Sequence, residues 1–590
     1  MPRFDPRLQF FLQERPAATH GDDVAERFGV RPESVGTADP EIRLLVQFEG
    51  ELPLAEESGF RATTVAGDVA AGAIRASRVE ALRDYDNLTL VESSRPLHDE
   101  LNVSLAEIGA HTVHTGIPAE RGARALIGFI DSGIDFTHAC FRNPDGSSRI
   151  RAIWDQQLQP KEGERSPQPY GYGVEYTKAE IDDLLVNQKG AVRHRDHNRH
   201  GTHVAGIAAG NGNPAANGHP AGTFLGVAPE ADLLVVRNLS EHSLGDSAQV
   251  LDAVDYLLRR AGEDGRAIVI NHSQGDNLGP HDGSSLLERG IDHLMDRPGR
   301  AMVKSAGNAG DKAVHARGTV AQGATVEVVF EVPPGDDTPD TIDLWYSGSD
   351  EFAFELRTPK PASALSARVQ PDTPARTLLL PNGNEVFVES STEYPFNGDN
   401  RIYLQLLPGT KTYVESGTWH LVLTGTTVVD GRFDAWIELG TRVPRFTGPE
   451  VTPEGTITVP GTGRRVITVG AYVTVAQQGV GGLASFSSRG PTRDGRDCPL
   501  LCAPGEEVTS ALAEPSGPAF FHPKSGTSMA APHVAGTVAL MLSKNPALDE
   551  ARIRQILQSC ARRDDHTTLQ PPRVEWGSGK LNAAACYAAA

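Results

Sequence analysis

The hydrophobic residues follow two different patterns along the chain. Short apolar runs typical of buried parallel strands occur at Ala125–Ile130, Leu233–Val236, Ile268–Ile270, Ala301–Val303 and Val466–Val469. Between these runs, apolar residues at i, i+1, i+4, i+7 and i+8 from Val250 to Leu258 predict one buried helix face. Strands that alternate with helices predict a parallel α/β sheet, here divided between residues 116–315 and 450–590.

The intervening segment, residues 316–449, has the second pattern. Short alternating strands, separated by Gly, Pro, Asn and Asp clusters, are predicted at Thr325–Phe330, Thr341–Tyr346, Phe352–Leu356, Arg401–Leu406, Thr418–Leu423 and Arg432–Leu439. Three of the five tryptophans, Trp345, Trp419 and Trp436, lie in this segment. The pattern predicts an all-β sandwich or jelly roll inserted into the α/β domain.

A smaller unit precedes the α/β domain. A strand at Ile42–Phe48, a helix containing Val79, Leu82 and Tyr85, and a strand at Leu88–Glu92 predict a βαβ-type arrangement. We assign residues 41–115 to this small α+β domain and its linker. Residues 1–40 are polar and rich in turn formers, and we treat them as an N-terminal extension.

Composition narrows the class of protein. The 590 residues include 55 Lys and Arg and 76 Asp and Glu, a net charge of −21, which argues against binding to nucleic acids or to anionic membranes. No apolar stretch approaches the ~20 residues of a membrane span. The N-terminus carries charges where a signal peptide needs apolar residues. The five cysteines are too few and odd in number for a disulfide framework, which suits a reducing compartment. We therefore expect a soluble cytoplasmic protein.

Three motifs carry candidate chemistry. Asp131, in Ile127–Asp135, directly follows a buried strand, at the sheet edge where α/β proteins place their sites. His200 opens a predicted helix of small residues. Ser528 stands at the start of another predicted helix, where free backbone N–H groups can stabilise an anion; Pro532 is expected in its first turn. Each motif alone also fits an ordinary turn or cap.

Together the three motifs point to a family. Asp131, His200 and Ser528 occur in the order Asp, His, Ser, which is the order known from subtilisin. The chain resembles the subtilisin-like serine proteases, or subtilases (peptidase family S8), over about residues 120–315 and 450–590. The resemblance implies a doubly wound parallel sheet and a serine endopeptidase that forms an acyl-enzyme on a protein or peptide substrate. It implies Ser528 as nucleophile, His200 as general base and Asp131 as the group that orients it.

The same resemblance suggests the remaining site residues. The segment Val303–Gly310 resembles the family's oxyanion-hole segment and makes the Asn308 side chain a donor. Two short segments would flank the P1 side chain of the substrate, the residue before the cleaved bond: Ser273, Gln274 and Gly275, and Ser305, Ala306 and Gly307. The stretch Ser240–Gly245 is a candidate for pairing with an extended substrate.

The other domains also have counterparts in the family. The region around Asp131 and Trp154–Asp155, together with the predicted β insert, is similar to the bacterial Csp-type proteases, which carry a jelly roll between the His and the Ser. The segment at about 42–97 resembles the family's inhibitory propeptide. This resemblance makes the chain's own N-terminal segment a candidate intramolecular inhibitor, with a cut expected between about Glu92 and His114.

Three alternatives remain open at this stage. The first is a catalytically silent pseudoprotease that acts by binding. The second is a binding module whose insert recognises a glycan or a peptide. The third is a zinc hydrolase that uses the histidines at three-residue spacing, His194, His197, His200 and His203. No cofactor and no metal ligand are predicted. Calcium is left open, although the segment His138–Phe141 lacks the aspartate with which family members bind it.

Overall fold

The chain is described here by a computed structural model, which covers residues 2–4, 39, 41–52, 55–93, 101–215, 219–239, 246–359, 365–440, 442–475, 480–514, 520–567 and 574–590. The stretch Ser240–Gly245 and most of residues 1–40 lie outside the described residues. The chain divides into two compact units, Met1–Asp99 and Glu100–Ala590. Within the described residues, no helix has both the length and the apolar character needed to cross a membrane.

The first unit is a small sheet. Its elements are β1 (Arg3–Phe4), β2 (Glu41–Phe48), α1 (Ala55–Ser58), β3 (Arg61–Ala66), β4 (Val69–Arg75), a 3₁₀ helix (Ala76–Asp84) and β5 (Leu88–Ser93). The strand order is β1-β5-β2-β4-β3, and β2 pairs antiparallel with both β4 and β5. The predicted βαβ-type arrangement is therefore wrong: a hairpin separates the two predicted strands, and the predicted helix is a 3₁₀ helix.

The second unit begins with the first part of the α/β domain. Its helices are α2 (Leu101–Glu107), α3 (Ala110–Thr115), α4 (Lys178–Leu185), α5 (His200–Ala209), α6 (Ser247–Glu263) and α7 (Leu286–Leu294), with a 3₁₀ turn at Ala139–Phe141. Its strands are β6 (Leu126–Asp131), β7 (Ile150–Asp155), β8 (Val174–Thr177), β9 (Asp232–Arg237), β10 (Ile268–His272) and β11 (Arg300–Ser305).

A β-rich segment follows. Its strands are β12 (His315–Thr319), β13 (Thr325–Val332), β14 (Asp340–Tyr346), β15 (Glu351–Arg357), β16 (Leu365–Val369), β17 (Thr373–Leu379), β18 (Glu385–Ser391), β19 (Asn400–Leu407), β20 (Gly417–Thr427), β21 (Arg432–Ile437) and β22 (Arg445–Thr447). They form two sheets, ordered β12-β21-β14-β19-β18-β17 and β16-β15-β20-β13-β22. Both sheets contribute to one hydrophobic core, which includes Phe330, Leu344, Leu404 and Trp419. Each of the six strands predicted in this segment is present.

The chain then completes the α/β domain with β23 (Val466–Tyr472), β24 (Leu501–Pro504), β25 (Val508–Leu512), β26 (Phe520–Lys524), α8 (Thr527–Lys544), α9 (Glu550–Cys560) and α10 (Ala583–Ala589). The main sheet has the order β24-β23-β11-β10-β6-β9-β7-β8. Its described strands are parallel except β8, which runs antiparallel to β7. All five predicted parallel strands lie in this sheet.

Helices cover both faces of the main sheet. Along β6, Ile127 and Phe129 pack into one core with residues of α5 and α8, while Leu126 and Ile130 pack into a second core with residues of α6. This burial on both faces explains why the strands are apolar at nearly every position. The carboxyl ends of β6, β10 and β11 lie next to one another, and the candidate site is built at that edge.

Candidate active site

Asp131 and His200 form the first pair of the site. Asp131 is the last residue of β6 and is almost fully buried, with 1% of its surface exposed. Its Oδ1 accepts hydrogen bonds from His200 Nδ1 and from the Ser132 backbone N–H, both at 2.7 Å. Because Nδ1 is the donor in this bond, Nε2 of the neutral imidazole is left with a lone pair that can accept a proton.

The start of α5 is held to the end of β6, which fixes where His200 stands. The Gly201 N–H donates to Ser132 Oγ at 2.8 Å, and the Thr202 N–H donates to Asp196 Oδ2 at 2.9 Å. Ser132 Oγ in turn donates to Asp196 Oδ1 at 2.7 Å. These side chains satisfy amides that the first turn of a helix leaves without partners, so His200 is positioned by backbone as well as by Asp131.

The surroundings of His200 alter its basicity. Burial lowers the pKa of His200, but the charge of Asp131 and the hydrogen bond to it outweigh burial, so the pKa is raised above the usual value. Lys524 opposes this effect slightly. An imidazolium formed at His200 is therefore stabilised, which is what a group that takes up a proton during a reaction requires.

Ser528 is the second residue of α8. Its hydroxyl donates to the backbone carbonyl of Ser273 at 3.1 Å. Among the hydrogen bonds of the described residues, none joins Ser528 Oγ to His200. The hydroxyl must exchange its bond to Ser273 before it can donate to the imidazole, and catalytic hydrogen bonds often form fully only when substrate is bound.

Ser273 makes a second contact with Ser528, through a gap in α8. Pro532 is the sixth residue of the helix, beyond the first turn where it was expected. Because proline has no N–H, the carbonyl of Ser528, four residues earlier, receives no helical hydrogen bond. Ser273 Oγ donates to that carbonyl at 3.2 Å. Ser273 was predicted only as a residue flanking P1, and the structure also makes it a partner of Ser528.

Asn308 is oriented by the residue that begins α8. Its Oδ1 accepts from the backbone N–H and from the hydroxyl of Thr527, both at 2.9 Å. Among the described residues, no acceptor binds its Nδ2. The Ser528 N–H, in the first turn of the helix, has no helical acceptor either. Two N–H donors are thus available for an oxyanion beside Ser528.

The two segments predicted to flank P1 lie on either side of Thr458. Ser273–Gly275 follows β10, and Ser305–Gly307 begins at the end of β11. The Thr458 N–H donates to the Ala306 carbonyl at 2.9 Å. A Cβ added at Gly275 would lie 2.5 Å from Thr458 Oγ1, and one added at Gly307 would lie 2.7 Å from Thr458 Cγ2. Gln274, the residue before Gly275, accepts a hydrogen bond at Oε1 from Asn238 Nδ2 at 2.9 Å.

Sequence reasoning missed Thr458 and Lys304. Thr458 lies beyond the β-rich segment, far from both flanking segments in the chain. Lys304 is fully buried, and its Nζ donates to Thr458 Oγ1 and Ser305 Oγ, both at 3.2 Å, and to the Ser305 carbonyl. Burial lowers the pKa of Lys304 to about 7. A lysine in an otherwise apolar buried strand was the signal that could have identified it.

The four histidines at three-residue spacing do not converge. His194 Nδ1 bonds Asp155 Oδ2 at 2.8 Å, and His203 Nε2 bonds the His522 carbonyl at 2.8 Å. His197 is exposed, while His200 bonds Asp131. Within the described parts of the chain, no group of three His, Cys, Asp or Glu could hold a metal ion. The zinc hydrolase alternative therefore has no site at these histidines.

Comparison with known proteins connects this geometry to a family. The family model described as "Subtilase family" matches residues 122–342 and 440–579, which is more than half of the chain. The chain belongs to the subtilase family. The resemblance seen in the three motifs is confirmed, and the part between the two matched stretches falls within the β-rich segment.

Relatives of this subtilase carry protease names. The minor extracellular protease Vpr of Bacillus subtilis is 26% identical over 504 residues, which are 82% of this chain and 53% of Vpr. The serine protease AprX of the same organism is 36% identical over 141 residues, 22% of this chain and 31% of AprX. Subtilisin of Bacillus pumilus is 35% identical over 164 residues, 28% of this chain and 52% of subtilisin. The chain spans about half or less of the length of these relatives.

A solved structure extends the likeness over most of the subtilase. The CspB protease of Clostridium perfringens matches with a TM-score of 0.70 and 28% sequence identity, over 82% of this chain and 96% of that one. This match confirms the resemblance to the Csp-type proteases. The chain therefore has a subtilisin-like α/β fold combined with several further β-sheets.

Proposed function

We propose that this subtilase is a serine endopeptidase that hydrolyses peptide bonds of protein substrates through Asp131, His200 and Ser528. The observation that carries the proposal is the 2.7 Å hydrogen bond from His200 Nδ1 to Asp131 Oδ1, which leaves Nε2 free to take a proton. Ser528 supplies the hydroxyl, and the start of α8 supplies N–H donors.

The reaction follows from these positions. Ser528 Oγ attacks the scissile carbonyl carbon and passes its proton to His200 Nε2, while Asp131 stabilises the imidazolium. The oxyanion that forms receives hydrogen bonds from Asn308 Nδ2 and the Ser528 N–H. His200 then gives the proton to the leaving amine, which departs and leaves an acyl-enzyme. Water, activated by His200, hydrolyses the acyl-enzyme to a carboxylate and restores Ser528.

The N-terminal unit is proposed to be an inhibitory propeptide that the protease itself removes. The cut is expected between about Glu92 and His114. The division of the chain into compact units after Asp99 falls inside this window and supports the proposal. Exposed connections between compact units are the preferred positions for proteolytic cleavage.

The β-rich segment is proposed to be a jelly-roll domain that supports the substrate-binding loop after β10. Asn277 Nδ2 donates to the Ile437 carbonyl at 2.7 Å, and the Gly279 N–H donates to Asp343 Oδ2 at 2.9 Å. The His281 ring stacks on Trp436 with centroids 4.0 Å apart. These contacts begin two residues after Gly275, so they restrain the segment that is expected to flank P1.

The proposal is tested by measuring hydrolysis of denatured casein by three purified full-length proteins. These are the wild type, Ser528→Ala and the surface control Ser559→Ala on α9. We expect the wild type and Ser559→Ala to hydrolyse casein and Ser528→Ala to lose this activity. Equal hydrolysis by Ser528→Ala would contradict the proposal. No hydrolysis by the wild type, even after limited proteolysis has removed the N-terminal unit, would support the pseudoprotease alternative.

The cytoplasmic location stays a prediction.

A further inference from the structure

Lys304 places a cationic group at the point where the two P1-flanking segments meet. Its side chain is fully buried, and its Nζ donates to the hydroxyls of Ser305 and Thr458 at 3.2 Å. A Cβ added at Gly275 would lie 3.0 Å from this Nζ. The nitrogen therefore lies directly behind the backbone of Gly275, and Thr458 fills the space between Gly275 and Gly307.

The charge of Lys304 has no counter-ion in the described part of the chain. Its three hydrogen-bond acceptors are neutral oxygens of Ser305 and Thr458. Two titratable groups interact with it. Burial raises the pKa of Cys498 to about 12 and lowers the pKa of His272 to about 4, so neither group carries a charge at neutral pH. A buried ammonium without an anionic partner is costly, and such groups cluster at functional sites.

We propose that Lys304 determines the specificity of this protease by binding the side-chain carboxylate of an acidic P1 residue, glutamate or aspartate. The inference rests on the proposed function. All three N–H groups of the ammonium bond to Ser305 and Thr458, so the carboxylate takes the place of Thr458 Oγ1 as acceptor when it binds. It supplies the anion that the buried ammonium lacks. Ser305 Oγ accepts from Lys304, so its own proton is free to donate to the same carboxylate. Lys304 is thus a specificity-determining residue and takes no part in the proton transfers at Ser528.

The sequence of the cleavage window agrees with this preference. The window between Glu92 and His114, in which release of the N-terminal unit is expected, contains Asp99 and Glu100, the two residues on either side of the division between the compact units. Either residue can serve as P1 for the first cut. A protease that accepts acidic P1 residues would therefore find its own substrate at the junction of the two compact units.

The test uses a series of fluorogenic peptides that differ only at P1, with Glu, Gln or Leu. We expect kcat/KM to be about 10- to 100-fold higher for Glu than for isosteric Gln, the range that a hydrogen bond to a charged group contributes. Lys304→Met removes the buried charge while conserving length, and should reduce the Glu/Gln ratio to about one. Lys524→Met, the cationic control near His200, should leave the ratio unchanged.

A pH series distinguishes binding by Lys304 from a merely structural role. Because burial places the pKa of Lys304 near 7, the KM for the Glu peptide should rise between pH 7 and pH 9, while the KM for the Leu peptide stays constant. An unchanged Glu/Gln ratio in Lys304→Met, or a wild type that cleaves Gln or Leu as well as Glu, would overturn the inference alone. A wild type that neither cleaves any peptide nor reacts with a fluorophosphonate would overturn the proposed function and this inference with it.

Discussion

At the scale of single residues, the reactivity of Ser528 depends on the protonation state of His200. Asp131 holds the imidazole with Nδ1–H as donor, and the same carboxylate raises the pKa of the ring against the effect of burial. Neutral His200 is the form that accepts the serine proton. The pH dependence of the proposed peptidase activity should therefore report on the Asp131–His200 pair.

The acid limb of the pH profile is the first prediction. The kcat/KM should rise as His200 loses its proton, with an apparent pKa above the usual 6.5. Lys524→Met should move this limb to higher pH, because Lys524 lowers the pKa of His200. Asp131→Asn should move it to lower pH and reduce kcat by about 10⁴-fold, the order measured for this aspartate in subtilisin and trypsin. A limb that is identical in all three proteins would contradict the role given to His200.

Asn308 provides the second prediction, which concerns the oxyanion. Asn308→Ala removes the Nδ2 donor and should lower kcat by about 10²–10³-fold, the range measured for the corresponding substitution in subtilisin, with little change in KM. Thr527→Val conserves volume but removes the hydroxyl that bonds Asn308 Oδ1 at 2.9 Å, and should cause a smaller loss of kcat. Steady-state kinetics on one peptide measures kcat and KM for both variants. A rise in KM with kcat unchanged would assign Asn308 to ground-state binding instead.

The sequence could identify only part of this site. Asp131, His200, Ser528 and Asn308 are each embedded in a local motif that predicts the residue type and its place after a strand or before a helix. Lys304 and Thr458 are joined by a hydrogen bond although they are 154 residues apart in the sequence, with the β-rich segment between them. No local pattern encodes that contact, because it depends on how the chain returns to the sheet after β22.

At the scale of elements, the site requires that α5 and α8 lie close together. Gly536 of α8 makes this approach possible: a Cβ there would lie 2.5 Å from Val227 Cβ and 3.0 Å from the carbonyl of Ala208 in α5. α5 begins at His200, and Ser528 is the second residue of α8. A larger residue at the crossing must therefore displace Val227 or move α8 away from α5.

Gly536→Ala is the third prediction. Overpacking at this contact should destabilise the fold by about 1–3 kcal/mol and lower kcat, because it shifts α8 relative to α5. Gly262→Ala is the matched control, since a Cβ at this position of α6 meets nothing within 4 Å; it should stabilise the fold by up to about 1 kcal/mol. Thermal unfolding and peptide hydrolysis measure the two effects. Equal behaviour of both variants would contradict the close packing described here.

Strands that consist of a long apolar run were predicted, whereas several strands of mixed composition, including the buried β4 and β7, were not. The strands of the main sheet are apolar at nearly every position because helices cover both of its faces. Strand β17, in contrast, is a mostly exposed edge strand without alternation, and no hydrophobic pattern marked it. The hairpin of β3 and β4 was missed because alanine, glycine and threonine dominate its sequence, and these residues give no alternating signal.

At the scale of the whole molecule, the β-rich segment divides the α/β domain between β11 and β23 without interrupting the sheet. These two strands are parallel neighbours, with Val303 opposite Ile467. The segment also contacts the loop that follows β10, through Ile437, Asp343 and Trp436. Many of its alternating strands could be predicted from sequence, but its contact with the loop after β10 could not.

Removal of the N-terminal unit is the fourth prediction and concerns the chain as a whole. Wild-type protein should be recovered as two fragments, whereas Ser528→Ala should remain one intact chain. Terminal sequencing of the larger fragment should place the cut between Glu92 and His114, after an acidic residue. A wild type that stays intact while it hydrolyses peptides would contradict self-processing but leave the peptidase intact as a proposal.

Reaction with a fluorophosphonate probe, mapped by mass spectrometry, tests the central claim most directly. Only a serine activated by a neighbouring base reacts at an appreciable rate. We expect one adduct in the wild type, on the peptide that contains Ser528, and none in Ser528→Ala. An adduct on another serine, or no adduct after limited proteolysis has removed the N-terminal unit, would contradict the assignment of Ser528 as the nucleophile.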